Sequence, residues 1–124
     1  MAENSFAALI LTNGRPDRVF TYKTLRDHGY SGRIVLVVDD LDQTGPEYVE
    51  RYGDEVVFFD KRAIAATFDQ ADNFEDMRAI VYARNASFQI ARRLGIDRFV
   101  QLDDAYVEFQ FRFDSSFRYR PKTV

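Results

Sequence analysis

The chain has no cysteine and a single histidine among its 124 residues. Without cysteine there is no disulfide framework and no thiolate metal site, a composition at home in a reducing compartment. The one histidine, His28, stands next to Gly29 at an expected helix end, where an imidazolium complements the helix dipole. Neither a Ser-His-Asp arrangement nor a histidine-built metal centre can be assembled around it. Phosphate-cradling loops of the G-x-x-x-x-G-K-[ST] and G-x-G-x-x-G kinds are absent. No apolar run is long enough to span a bilayer, and the start, Met-Ala-Glu-Asn-Ser, lacks the basic-then-apolar pattern of a signal peptide. The net charge of -3 gives no global attraction to nucleic acid or to an anionic membrane. Together these absences point to a soluble, cytoplasmic chain with no membrane partner.

What is present is a small α/β pattern. A chain of this length makes one domain with a real core. Phe6–Leu11 (FAALIL), Arg33–Val38 (RIVLVV), Glu55–Phe59 (EVVFF) and Arg98–Leu102 (RFVQL) read as strands, the first as a buried one. Between the first two, Pro16 suits the first position of a helix that runs to Gly29. Pro46–Tyr52 is a short helix ended by Gly53, and Ala63–Phe68 a helical turn before a polar loop at Asp69–Asn73. Phe74–Leu94 carries Met77, Ile80, Val81, Phe88, Ala91 and Leu94 at a period near 3.6, closed by Gly95. Strands alternating with helices predict a mostly parallel sheet, and right-handed crossovers favour the order 3-2-1-4. The tail differs: Val107, Phe109, Phe111 and Phe113 alternate with polar residues, so a further strand with an aromatic face is expected. Its cover is either the domain's own helices, a second copy in a homodimer, or further chain.

The acidic residues fall at strand ends. RIVLVV stops at Asp39-Asp40, and RFVQL stops at Asp103-Asp104. In a parallel sheet the carboxyl ends of the strands line one edge, and ligands bind there. Asp39-Asp40 can accept hydrogen bonds from a base or ribose, or simply open a turn. Asp103-Asp104 can hold Mg²⁺ or Mn²⁺ together with substrate phosphates, or form a solvated turn. Arg84, near the apolar stripe of the long helix, can grip a phosphate with two hydrogen bonds or pair with a structural carboxylate. Arg15, beside a helix start, can reach an anion or remain a surface residue. The basic tail Arg112, Arg118, Arg120 and Lys122, with Phe117 and Tyr119 interleaved, has the ingredients of single-strand binding and equally those of an amphipathic strand end.

ILTNGRPD, VVDDLDQT, ARNASFQIARRLG and FVQLDDAY follow one another in the order seen in GT-A glycosyltransferases, and the pattern is similar to family 2 enzymes. TNGRPD, TYKTLRDHGYSG, FDK and YARNASF with QLDDAY resemble more closely the TET-associated glycosyltransferases of bacteriophages, over about residues 7–113. The resemblance implies a Rossmann-like GT-A sheet, a nucleotide-sugar donor such as a UDP-sugar, and a divalent metal, Mn²⁺ or Mg²⁺. It places Thr12, Asn13 and Arg15 on the nucleotide, Asp39 or Asp40 on the base, Arg84 by the base or diphosphate, and Asp103 with Asp104 on the metal. It implies as acceptor a hydroxymethylated DNA base, hence DNA as a partner. Where the family pattern has an acid at the third position of the metal motif, this chain has Ala105, so either one ligand is missing and the metal is held weakly, or Asp104 substitutes for it. No catalytic base is identifiable.

The sequence therefore reads as a single donor-binding domain over residues 1–124, either minimal or the donor half of something longer. The activity expected is that of a metal-dependent glycosyltransferase of the hexosyltransferase type. The alternative is a non-catalytic nucleotide-binding or assembly module on the same fold. A phosphoacceptor signalling domain, for which LVVDD is the argument, fits less well, because the acid pair ends the second strand and Asp60 and Asp103 stand at the wrong distances.

Overall fold

In the computed structural model, residues 5–66, 79–108, 110–113 and 119–123 are described. The expected loop at Asp69–Asn73, and Phe68, Phe74, Met77, Phe109, Phe117 and Arg118, lie outside them. The strands are β1 (Phe6–Leu11), β2 (Arg33–Asp39), β3 (Val56–Phe59) and β4 (Arg98–Asp103), and they form one parallel sheet in the order β3-β2-β1-β4. The helices are α1 (Phe20–Asp27), α2 (Gly45–Tyr52), α3 (Lys61–Ala65) and α4 (Ala79–Arg93). The chain thus has the α/β Rossmann-like arrangement that its alternating pattern predicts.

Both faces of the central strands are covered, which is why β1 and β2 read as unbroken apolar runs. Ala7, Leu9, Leu11, Val35 and Val37 face α4 and pack on Tyr82, Ala83, Ala86, Ile90 and Ala91. Ala8, Ile10, Ile34, Leu36 and Val38 face the other way, against Val19 and Tyr48. Burial of each leucine, isoleucine or valine side chain among these contributes about 1.5–3 kcal/mol.

Two expectations shift. The first helix begins at Phe20, four residues after Pro16. Residues 15–18 instead close a turn, with Arg18 N–H donating to the Arg15 carbonyl at 3.0 Å. The helix entrance is tied to the end of β4: Thr21 N–H donates to the Asp104 carbonyl at 3.2 Å, and the Thr21 hydroxyl donates to the Asp103 carbonyl. The tail holds a hairpin rather than one strand. β5 (Gln110–Phe113) pairs antiparallel with β6 (Tyr119–Thr123) in a separate two-stranded sheet. The basic residues that obscured β6 in the sequence, Arg120 and Lys122, alternate with Tyr119, Pro121 and Thr123 and leave no apolar period to read.

Candidate functional site at the carboxyl edge of the sheet

Strand alternation decides which side each rim residue takes. Asp103 pairs in register with Leu11, whose side chain faces α4. Asp39 follows Val35 and Val37 on that same face. Arg84, on α4, lies on this side too, with its Nη2 3.4 Å from Asp103 Oδ1. Thr12 and Asp104, one residue further along their strands, turn to the opposite side, where Tyr48 rises from α2. Asp39 and Asp103 flank β1 from either side, about two strand spacings or ~10 Å apart.

The Asp39 side is closely knit. Asp39 is 3% exposed; its Oδ1 accepts from Leu41 N–H at 2.8 Å and its Oδ2 lies 3.9 Å from the Lys61 ammonium. The Asn13 carboxamide, turned so that its nitrogen faces the acids, donates to Asp39 Oδ2 at 3.2 Å and to Asp42 Oδ2 at 2.9 Å. Asp42 also accepts from Gly14 N–H at 2.7 Å, Thr44 N–H at 2.8 Å and the Thr44 hydroxyl at 2.6 Å. It thereby ties the loop after β1 to the start of α2. Gly14 sits there at φ +68°, a backbone conformation that side chains disfavour. Asp40 is exposed, and its Oδ1 accepts from Lys61 N–H at 3.1 Å.

The Thr12 side is buried and continuous. The Thr12 hydroxyl donates to Asp104 Oδ2 at 2.7 Å and lies 2.7 Å from the Tyr48 phenol oxygen, which accepts from Arg15 N–H at 2.9 Å. The Arg15 guanidinium, half exposed, stands 3.7 Å from Asp104 Oδ1. Burial, its largest cause, pushes the Tyr48 phenol above the ordinary value of 10.0. Every buried side-chain nitrogen and oxygen among the described residues has a partner.

The two acids of the second pair differ in availability. Asp104 is buried and both its oxygens face protein groups; the Asp103 carboxylate is half exposed and, among the described residues, holds only the long contact to Arg84. Among the described residues no three acids or histidines cluster tightly enough to enclose a metal by themselves. The donor set at Asp103 suits a hard cation that takes one carboxylate from the protein and the rest of its oxygens from water and a phosphate group.

The eight residues expected at the donor and metal site, Thr12, Asn13, Arg15, Asp39, Asp40, Arg84, Asp103 and Asp104, stand along one sheet edge, in two clusters on either side of the loop after β1. Sequence reasoning gave no individual role to Tyr48, Lys61, Thr21 or Asp42. A signal for Tyr48 was there: with Tyr52 it forms an i, i+4 apolar face, and a core tyrosine needs a hydrogen-bond partner for its hydroxyl.

Neither a curated protein nor a solved structure gives a match to the chain. A family model described as TET-Associated Glycosyltransferase matches residues 6–123, which spans the whole sheet, the rim residues and the C-terminal hairpin. The chain belongs to the TET-associated glycosyltransferase family and has a glycosyltransferase-like function.

Proposed function

We propose that the rim binds a nucleoside-diphosphate sugar, a UDP-sugar, and that the chain transfers the sugar to a hydroxyl acceptor, a hydroxymethylated DNA base. The observation that carries this reading is the grouping of Asp39, Arg84 and Asp103 on one side of the carboxyl edge, with Thr12, Asn13 and Arg15 between the two acid pairs. In open parallel sheets that edge is where nucleotides lie. The loop at 12–15 and the Asp39–Asp40 end would take the nucleoside. Arg84 and Arg15, both half exposed, would meet the diphosphate, for which a planar guanidinium offers paired donors.

Asp103 would hold a divalent cation beside the diphosphate. When bound it would supply charge neutralisation to the departing diphosphate. The protein's own contribution is positional: the two guanidinium groups are held beside carboxylates and do not have to reorganise when charge develops on the leaving group. Arg84, 3.4 Å from Asp103, would turn to the diphosphate when the donor binds, before charge develops on the leaving group.

Asp103→Ala is expected to abolish Mn²⁺-dependent binding of UDP measured by titration calorimetry, with the fold intact by circular dichroism. Unchanged binding would overturn the assignment. A second reading has one observation in its favour: Ala105, exposed at the third position of the acidic motif, offers no carboxylate to a metal. Binding of UDP-sugar without hydrolysis or transfer would establish a non-catalytic binding module instead.

A further inference from the structure

Arg15 touches both ends of one buried chain of hydrogen bonds. Its main-chain N–H reaches the Tyr48 phenol at 2.9 Å; the phenol meets the Thr12 hydroxyl at 2.7 Å; the hydroxyl meets Asp104 Oδ2 at 2.7 Å; and Asp104 Oδ1 lies 3.7 Å from the Arg15 guanidinium. The direction of the protons is fixed by chemistry. A carboxylate only accepts, so the single Thr12 hydroxyl proton goes to Asp104. The Thr12–Tyr48 bond must then run from the phenol to Thr12. The phenol oxygen, its own proton used, accepts from Arg15 N–H. Each member therefore donates to the next, from Arg15 through Tyr48 and Thr12 to Asp104, and such chains polarise and strengthen one another. Tyr48 is fully buried, Thr12 is 6% exposed and Asp104 7%, so water does not compete along its length.

We propose that Tyr48, Thr12 and Asp104 are positioning residues: they form a closed circuit that sets both the backbone and the guanidinium of Arg15 against the donor diphosphate, and Asp104 is therefore not a ligand of the cation. The inference rests on the donor-binding reading above. It divides the two adjacent acids by task. Asp103 faces outward and meets the cation, and Asp104 faces inward and fixes the loop. It also gives α2 a function, because Tyr48 is the one side chain through which α2 enters the circuit.

The test uses the full chain. Tyr48→Phe keeps the buried ring and removes the hydroxyl; Asp104→Asn keeps the shape and removes the fixed direction. Each is expected to weaken UDP binding about tenfold, the loss of roughly one good hydrogen bond. The double variant is expected to be no weaker than either single, because both break the same circuit. Thr12→Ser, which retains a hydroxyl, is expected to bind as the unaltered protein does. Mn²⁺ alone, followed by paramagnetic broadening in NMR spectra, is expected to bind Asp104→Asn and not Asp103→Asn. Additive losses in the double variant, or loss of Mn²⁺ binding in Asp104→Asn, would overturn the proposal. If the unaltered chain binds no UDP, the donor reading fails by itself, and the circuit is judged by hydrogen exchange. Arg15 N–H should then exchange about tenfold faster in Tyr48→Phe than in the unaltered chain, and an equal rate would refute the circuit.

Discussion

Asp42 shows how much a single loop carboxylate can organise. It accepts from Gly14 N–H, Thr44 N–H, the Thr44 hydroxyl and the Asn13 amide, and so joins the loop after β1 to the entrance of α2. Asp42→Ala frees all four donors at once. Water can reach most of them, so the expected loss is about 1–2 kcal/mol rather than a sum of four full bonds. A urea titration would read it as a lower midpoint at constant slope, and an unchanged midpoint would show that the loop holds without Asp42. At this scale the sequence is legible in part. Asp39, Asp103 and Asp104 were visible because each ends an apolar run. Asp42 was not, since a carboxylate inside a polar loop looks the same whether it binds four donors or only water. Lys61 was hidden for a related reason. Its position after β3 gives no hint that its side chain folds back, mostly buried, toward Asp39 across the sheet edge.

The elements were easier to read than the site, and the helix ends explain why. Both α1 and α4 finish in the same device. Gly29 and Gly95 take positive φ of 94° and 71°, while Tyr30 N–H reaches the Leu25 carbonyl at 2.9 Å and Ile96 N–H reaches the Ala91 carbonyl at 2.8 Å. These are six-to-one bonds of the Schellman kind, and they need a residue that accepts left-handed backbone. Glycine after an apolar period is thus a local signal that survives into the fold. The start of α1 is the opposite case. Pro16 marks an opening that a lone helix would use, yet the Thr21 N–H and hydroxyl at the start of α1 are taken by the Asp104 and Asp103 carbonyls, 82 residues away for the hydroxyl. No local pattern encodes that partner. Gly95→Ala tests the local half of this account. The space around a new Cβ is open, so the cost is that of the backbone conformation, about 1 kcal/mol. Chemical denaturation would measure it, and no loss would mean that the cap tolerates a side chain at this φ.

At the scale of the molecule, the sheet brings its two acid pairs to one edge, and tyrosines pack the layer on the face opposite α4. Four of them, Tyr22, Tyr30, Tyr48 and Tyr52, have phenols raised above the ordinary 10.0. The Tyr22 shift comes first from its hydrogen bond to Glu55, while burial leads for Tyr30, Tyr48 and Tyr52. The consequence for stability has a definite sign. Below the unfolded value the phenols are neutral in both states, and their contribution is fully present. As pH rises past that value the unfolded chain releases phenolic protons that the folded chain still holds. The unfolded state then binds fewer protons, and stability falls with pH until the folded groups titrate as well. The protein should therefore lose stability progressively from about pH 10 upward, and its phenolate absorbance should appear late and rise together with unfolding. In Tyr48→Phe the alkaline decline should be shallower, since one of the four raised groups is gone. A urea midpoint that stays level through this range, or phenolate signal from these groups at the ordinary value in folded protein, would show that this layer does not depend on neutral tyrosines.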